Sequence, residues 1–172
     1  MMMDGITYIE DFIENPSGLF NVLASTVIWD ERMSARKTAS FGKAYNYSQM
    51  DYVHQAFTPI LNNILLDIEE VLHFKPNNCL MNYYMDGKST MGFHSDQTDI
   101  LETGTGVIIV SLGAERILRF RNIADKTIRK DFKLDSGSLF YMTNEVQALW
   151  QHAIPKSDVA DGRISLTFRA IQ

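Results

Sequence analysis

Two histidines and one aspartate of this sequence have the types and the spacing of a metal site. His94 and Asp96 are separated by one residue, and His152 follows much later, in a different strand-like run. On an extended strand, residues i and i+2 point to the same side, so His94 and Asp96 can bind one metal ion together. Two neutral imidazoles and one carboxylate that leave coordination positions open are the donor set of non-haem Fe(II) sites. The spacing therefore predicts an iron centre at His94, Asp96 and His152.

The remaining histidines and the single cysteine are assigned no chemistry. His54 and His73 lie in or next to a long helical pattern, and we interpret both as structural. Cys79 is the one cysteine, which excludes an internal disulfide framework and any zinc site built from several cysteines.

A second set of polar residues is predicted to face the interior of a β-structure. From Arg163 to Arg169 polar and apolar residues alternate, so both arginines share one face with Ser165 and Thr167. Arginines aimed into a protein interior are costly unless an anion neutralises them, and a dicarboxylate such as 2-oxoglutarate would suit the two guanidinium groups. Asn82 and Tyr84 show the same spacing. The alternative is that the arginines lie on the outer face of an edge strand.

Together these motifs resemble the AlkB family of Fe(II)/2-oxoglutarate dioxygenases. The elements Asn-x-Tyr, His-x-Asp, a later His and Arg-x-x-x-x-x-Arg occur in the family's order, and the apolar run that ends at Gly113 is similar to its strand after the metal loop. The resemblance covers the chain from about Ser34 to Ala170. It implies a double-stranded β-helix, or jelly roll, with helices packed on one sheet.

The resemblance also implies the cofactors and the roles of individual residues. The three predicted metal ligands would bind Fe(II), and 2-oxoglutarate and O₂ would be the cosubstrates. Arg163, helped by Tyr84, would bind the distal carboxylate of 2-oxoglutarate, while Arg169 and Asn82 would lie near the end that chelates iron. Ser165 stands where many relatives have asparagine. The predicted cosubstrate residues are Asn82, Tyr84, Arg163, Ser165, Thr167 and Arg169.

Residues 36–48 resemble the substrate lid of the DNA-repair members of that family. Tyr45 and Tyr47 would stack on a flipped base opposite His94, as enzymes that act on bases require. The other residues predicted to face the substrate are Gln97, Thr98 and Asp99. The resemblance thus implies oxidative demethylation of N-alkylated bases in nucleic acid.

Two departures from the repair members favour a single-stranded substrate over duplex DNA. Thr98 stands where repair members usually carry an acid, and residues 29–34 contain no apolar finger that could open a duplex. Two alternatives stay open. One is the hydroxylation of a small molecule, such as an amino acid, a nucleoside or a biosynthetic intermediate. The other is a binding module without turnover. The tyrosines of the lid could also pack on the rim of a barrel.

The elements that position these residues follow from periodicity. Apolar spacing from Ile9 to Leu23 predicts a helix interrupted near Asn15-Pro16, and the spacing from Phe57 to Leu72 predicts a helix that begins near residues 48–51. From residue 79 onward, short apolar runs separated by turns predict strands. These are Cys79–Met85, Val107–Leu112, Ile117–Arg121, Thr127–Leu134, Ser138–Met142, Trp150–Ile154 and Ile164–Ile171.

Helices followed by strands predict an α+β fold in one domain of residues 1–172. The N-terminal helices and the lid would occupy residues 1–78, and the β-core with the metal and cosubstrate site would occupy residues 79–172. The net charge is -5, with all of the acidic excess before residue 79, which argues against strong non-specific binding of duplex nucleic acid. With no long apolar run and no leader-like start, we expect a cytoplasmic monomer without membrane contact.

Overall fold

The structure is a computed structural model that describes residues 3–44 and 55–172. The elements within these ranges alternate irregularly between strands and helices. In chain order they are β1 (Ile6–Ile9), α1 (Pro16–Thr26), β2 (Lys37–Gly42), α2 (Pro59–Leu72), β3 (Asn78–Tyr84), β4 (Met91–His94), β5 (Gly106–Gly113), β6 (Arg116–Asn122), β7 (Arg129–Leu134), β8 (Leu139–Thr143), α3 (Asn144–Leu149), β9 (Trp150–Ile154) and β10 (Arg163–Arg169). Among the described residues, no helix is both long and apolar enough to cross a membrane.

The strands form two antiparallel sheets. The six-stranded sheet has the order β1-β8-β5-β10-β3-β2, and the four-stranded sheet has the order β4-β9-β6-β7. Strand β5 shows how the layers are arranged, because its side chains alternate between two apolar cores. Val107 and Ile109 belong to a core shared with the four-stranded sheet, whereas Ile108 and Val110 belong to a core shared with α1 and α2.

Helix α2 illustrates why the helical segments begin and end where they do. The Thr58 hydroxyl accepts a hydrogen bond from the Leu61 N–H, and Pro59 occupies the first turn, where its missing N–H has no cost. The helix ends at His73, which adopts a left-handed conformation with φ of 64°. Residues at three- and four-residue spacing are buried in the core shared with the six-stranded sheet. They are Leu61, Ile64, Leu65 and Ile68.

The mixture of helices and antiparallel sheets is confirmed, but the N-terminal expectation is wrong in part. Of the segment predicted as the first half of a helix, Ile9 is the last residue of β1, which pairs with β8, residues 10–15 form turns and bends, and α1 begins only at Pro16. Proline is tolerated in the first turn of a helix but not in its interior, so no helix continues through Pro16 from the residues before it. Helix α2 begins at Pro59; residues 56–58 are not helical, and residues 45–54 lie outside the described residues.

All seven predicted strands are present, with ends that agree to within two residues. The sequence patterns miss β1, β2 and β4 and the short helix α3. Strand β2 pairs with β3, so residues before 79 contribute strands to the six-stranded sheet as well as helices. The missed strands are short or lack a run of alternating apolar residues, and their pairing partners, rather than local propensity, keep them extended.

Candidate metal centre and its cavity

The three predicted metal ligands are brought together at one edge of the four-stranded sheet. His94 is the last residue of β4, Asp96 follows in a loop, and His152 is the middle residue of β9. The antiparallel register pairs His94 directly with His152, which explains how residues far apart in the chain meet. One potential ligand atom from each of His94, Asp96 and His152 lies within 4.8 Å of the others.

The side chains of this cluster are oriented for a shared ion. Asp96 Oδ1 lies 3.3 Å from His94 Nε2 and 3.8 Å from His152 Nε2. His94 Nδ1 lies 2.8 Å from the Gly92 carbonyl oxygen, which can only accept a hydrogen bond. Nδ1 therefore carries the proton, and Nε2 presents a lone pair, as a metal ligand requires.

The protonation states of the cluster also suit a divalent cation. Burial raises the pKa of the Asp96 carboxyl, but Arg169 and then the two histidines outweigh it, so this pKa lies below its ordinary value. Arg169 Nη2 lies 3.5 Å from Asp96 Oδ2. Burial is the main cause that lowers the pKa of His152 to about 4. At neutral pH the cluster therefore holds an ionised carboxylate and a neutral His152 imidazole, the forms that bind metal ions.

These ligands lie at one end of a cavity between the two sheets. Its walls come from β3, β5 and β10 of the six-stranded sheet and from β4, β6 and β9 of the four-stranded sheet. All six predicted cosubstrate residues line it together with the metal ligands. They are Asn82, Tyr84, Arg163, Ser165, Thr167 and Arg169. The alternation predicted for β10 is thus present, since the intervening Ile164, Leu166 and Phe168 belong to the core shared with the helices.

Arg163 is a buried cation without a carboxylate partner among the described residues. Arg163 is 1% exposed, and its Nη2 donates to Ser111 Oγ at 2.9 Å. Nε and Nη1 have no hydrogen-bond partner in the described part of the chain. The guanidinium carbon lies 5.2 Å from the centroid of the Tyr84 ring. Burial lowers the pKa of Arg163.

A guanidinium group in this environment is strongly destabilising unless an anion completes it. The orphaned donors of Arg163 fit one carboxylate in a two-bond arrangement. Between this group and the metal ligands the cavity has aliphatic walls, suited to the methylene groups of a ligand. These wall residues are Leu80, Met91, Ile109, Leu118 and Ile154. The groups that line the cavity therefore suit a short dicarboxylate, with Arg163 for one carboxylate and the metal cluster for the other, and 2-oxoglutarate has this chemistry.

The predicted substrate residues are not brought into this cavity by the described structure. Tyr45 and Tyr47 lie outside the described residues, so their role stays a prediction. Gln97 and Asp99 are exposed and Thr98 is half-buried, in the loop that follows Asp96. Among the described residues that line the cavity, none comes from residues 97–99.

Three polar residues that support the site were not identified from the sequence. Ser111 binds Arg163, Gln147 accepts a hydrogen bond from the Asp96 backbone N–H, and Arg36 Nε donates to Asn82 Oδ1 at 2.8 Å. A lone hydroxyl within an apolar strand is a recognisable signal for Ser111. No comparable signal marks Gln147 or Arg36, whose contacts with the site are seen only in the structure.

Comparison with known proteins assigns a family. Residues 22–169 match the 2OG-Fe(II) oxygenase superfamily. An uncharacterised protein, R406, of Acanthamoeba polyphaga mimivirus is 34% identical over 73% of this chain and 64% of its own length. DNA oxidative demethylase ALKBH2 of Mus musculus is 31% identical over 79% of this chain and 62% of its own length. The mouse alpha-ketoglutarate-dependent dioxygenase alkB homolog 3 is 28% identical over 87% of this chain and 59% of its own length.

This chain thus spans less than two thirds of the length of these relatives. A solved structure, that of OsALKBH1, superposes with a TM-score of 0.73 and covers 98% of this chain and 99% of that one. At 15% sequence identity this likeness concerns the fold alone.

Proposed function

The chain belongs to the 2OG-Fe(II) oxygenase superfamily and is related to its AlkB members, and on this premise we propose that it is an AlkB-type dioxygenase that demethylates N-alkylated bases in single-stranded nucleic acid. The cofactors of this family are Fe(II), 2-oxoglutarate and O₂. One observation supports the proposal most directly: a single cavity carries a cation-binding cluster at one end and the uncompensated cation Arg163 at the other.

Different residues of the cavity would bind the iron and the cosubstrate. His94, Asp96 and His152 would hold Fe(II), which together with 2-oxoglutarate and O₂ supplies the hydroxylation of a C–H bond. Hydroxylation of an N-methyl group leads to release of formaldehyde and the unmodified base, with succinate and CO₂ formed from 2-oxoglutarate.

At the other end of the cavity, Arg163 would bind the distal carboxylate of 2-oxoglutarate. Ser111 Oγ accepts a hydrogen bond from Nη2 of the guanidinium, which leaves Nε and Nη1 to donate to the ligand. The ring of Tyr84 lies beside this group, so its hydroxyl would complete the carboxylate site. Arg169 and Asn82 would contact the iron-chelating end, where Arg169 already pairs with Asp96.

The fold supports the same assignment. Two facing antiparallel sheets, with the metal ligands on the smaller sheet and the anion site on the larger one, suit a double-stranded β-helix. The match to OsALKBH1 over nearly the whole chain is in keeping with this arrangement. We propose that the N-terminal helices buttress the six-stranded sheet, because residues of α1 and α2 share a core with it.

The nucleic-acid substrate is supported by similarity to the relative ALKBH2, a DNA oxidative demethylase. A second candidate, hydroxylation of a small molecule, is favoured by one observation on the basic stretch at residues 32–43. Arg32 pairs with Asp30, and Lys37 pairs with Glu31 at 2.9 Å. Basic side chains that are already paired with carboxylates neutralise few phosphates, and so displace few of the counterions condensed on the nucleic acid. We therefore expect weak affinity for nucleic acid and a shallow salt dependence.

The experiment incubates the protein with Fe(II), 2-oxoglutarate and ascorbate, and measures formaldehyde and succinate by mass spectrometry. The substrates are single-stranded oligonucleotides that contain 1-methyladenine or 3-methylcytosine, their duplexes, and the corresponding free nucleosides. We expect equal amounts of formaldehyde and succinate with the single strands and slower release with duplexes. If oligonucleotides give no formaldehyde while a free small molecule stimulates succinate formation, the substrate is the small molecule. If nothing yields succinate, the enzyme assignment is wrong.

A further inference from the structure

A glutamine on the short helix α3 contacts the backbone of the metal loop. Gln147 is 4% exposed and lies five residues before His152 in the chain. Its Oε1 accepts a hydrogen bond from the Asp96 backbone N–H at 2.8 Å. The side chain of Gln147 does not line the cavity formed by the described residues. Gln147 therefore contacts Asp96 through its peptide N–H, outside the cavity that the Asp96 side chain lines.

The Asp96 N–H depends on this contact because the strand ends before it. β4 stops at His94, so the loop residue Asp96 has no neighbouring strand to accept from its N–H. A buried N–H without an acceptor is strongly disfavoured, and Gln147 supplies the acceptor that the sheet does not. The bond also fixes the peptide plane before Asp96, and with it the direction in which the Asp96 side chain leaves the backbone.

The orientation of the Gln147 amide is itself determined. Gln147 Nε2 lies 3.6 Å from the sulfur of Met142, to which it donates. A flipped amide would place an NH₂ group against the Asp96 N–H, donor against donor. The amide therefore has one compatible orientation, with its oxygen on the metal loop.

A second contact joins the same two segments. Ser95 Oγ donates to the Trp150 carbonyl oxygen at 2.8 Å. Ser95 and Asp96 are thus tied, one after the other, to the segment that leads directly into His152. Because His94 is paired with His152 in the sheet, these bonds set the loop ligand relative to both histidines.

We propose that Gln147 is a positioning residue for the metal centre, which directs the Asp96 carboxylate towards the ion through the Asp96 peptide N–H. The inference rests on the proposed function, because it presumes that His94, Asp96 and His152 bind a divalent cation. Arg169 acts on the same carboxylate through charge at Oδ2, whereas Gln147 acts through backbone geometry. Partners that orient a metal ligand without touching the metal typically contribute 10- to 100-fold to metal affinity.

The test measures Co(II) binding to the full chain, with Co(II) as a redox-stable probe for Fe(II). Gln147→Leu removes the acceptor with little change of volume, and we expect the dissociation constant for Co(II) to rise about 10- to 100-fold. The visible absorption of bound Co(II) should change as well, because it reports ligand geometry. Should the leucine variant fail to fold, Gln147→Asn withdraws the amide by one methylene group, and the same increase is expected.

The matched control is Met142→Leu, which removes the other partner of Gln147 and leaves the bond to Asp96 in place. The Co(II) affinity of this control should stay within about twofold of that of the unaltered chain. The melting temperatures of all variants, measured without metal, show how much stability each substitution removes. Unchanged Co(II) affinity and spectrum in both Gln147 variants overturn the inference, as does an equal loss in Met142→Leu. If the unaltered chain binds no Co(II), the proposed metal centre fails and this inference fails with it.

Discussion

The two ends of the cavity differ in whether their charged groups are paired within the protein. At the metal end, the charged groups are already paired within the protein, since Asp96 faces Arg169 and both histidines. At the anion end, Arg163 donates to Ser111 and interacts with Tyr84, but it has no ion pair with a described residue. In the proposed function, the metal end would therefore be organised before its ion binds, whereas the anion end would be neutralised only by the cosubstrate. The difference predicts which substitutions change metal affinity and which change affinity for the cosubstrate.

A second arginine shows that burial alone does not create an anion site. Arg116 is 2% exposed, and the centre of its guanidinium lies 5.6 Å from the centroid of the Tyr84 ring, which Arg163 also contacts. Arg116 donates to the backbone carbonyls of Asp86, Ser89 and Pro155. Those carbonyls accept from both Nη groups of Arg116 and leave only its Nε without a partner among the described residues, so Arg116 joins loops to β6. Arg163 keeps both Nε and Nη1 for a ligand, and of the two arginines it is the one that lines the cavity.

The largest effect is expected from loss of a metal ligand. His152→Ala should abolish stoichiometric Fe(II) binding and succinate formation, because two remaining ligands do not complete the site. Metal analysis of the purified protein and a succinate assay measure the two effects. His73→Asn is the matched control, since it removes a histidine outside the cavity and asparagine tolerates the left-handed conformation of His73. Normal Fe(II) binding and turnover in His152→Ala would exclude His152 from the site.

The metal end should also respond to pH in the metal-free protein. The pKa of His152 falls from 6.5 to about 4 on folding, chiefly because the imidazole is buried. Between these values the unfolded chain binds a proton that the folded chain does not, so the folded state is destabilised as the pH falls from 6.5 to 4. The loss approaches about 3 kcal/mol near pH 4. Arg163 stays protonated throughout this range, so the anion end contributes no such dependence.

Denaturant unfolding of chelator-treated protein at pH 7 and pH 4.5 measures this dependence. His152→Phe has no imidazole to titrate, so its stability should fall less between the two pH values than that of the unaltered chain. Equal losses in the two proteins would show that burial of His152 does not lower its pKa.

At the anion end, Arg163→Lys should raise the KM for 2-oxoglutarate about tenfold or more. Lysine keeps the charge but lacks the planar fork that forms two hydrogen bonds to one carboxylate. Fe(II) affinity should not change, because Arg163 is not among the metal ligands. The control is Arg119→Lys, which alters a surface arginine paired with Asp131 at 2.8 Å and should leave the KM unchanged. An unchanged KM in Arg163→Lys would show that Arg163 does not bind the cosubstrate.

The smallest effect is expected from the residue that supports Arg163. Ser111→Ala removes one hydrogen bond of about 0.5–1.5 kcal/mol, so the KM for 2-oxoglutarate should rise about two- to tenfold. Ser138→Ala is the control, because Ser138 is also buried and its hydroxyl has no hydrogen-bond partner among the described residues. A KM that rises equally in both variants would mean that strand packing, rather than the bond to Arg163, determines the effect.

Much of the β-core and of the candidate site could be predicted from the sequence, because both depend on strand periodicity. The alternation from Arg163 to Arg169 reflects the two-residue repeat of a strand, which is a property of the local backbone. The N-terminal third was predicted less well. Local apolar spacing suggested a helix from Ile9, where β1 ends and residues 10–15 form turns and bends, and it missed β1 because that strand depends on pairing with β8, at least 130 residues away.

The sequence alone was sufficient to single out His94, Asp96 and His152 as candidate metal ligands and to place Arg163 and Arg169 on one face of a strand. The tertiary structure decided which distant groups meet them. The register of β4 and β9 pairs the two histidines, and the packing of α3 against the metal loop brings Gln147 to Asp96. The physical reason is range: residue type and backbone period act between near neighbours, whereas hydrogen bonds between distant segments depend on how strands and helices are arranged in space.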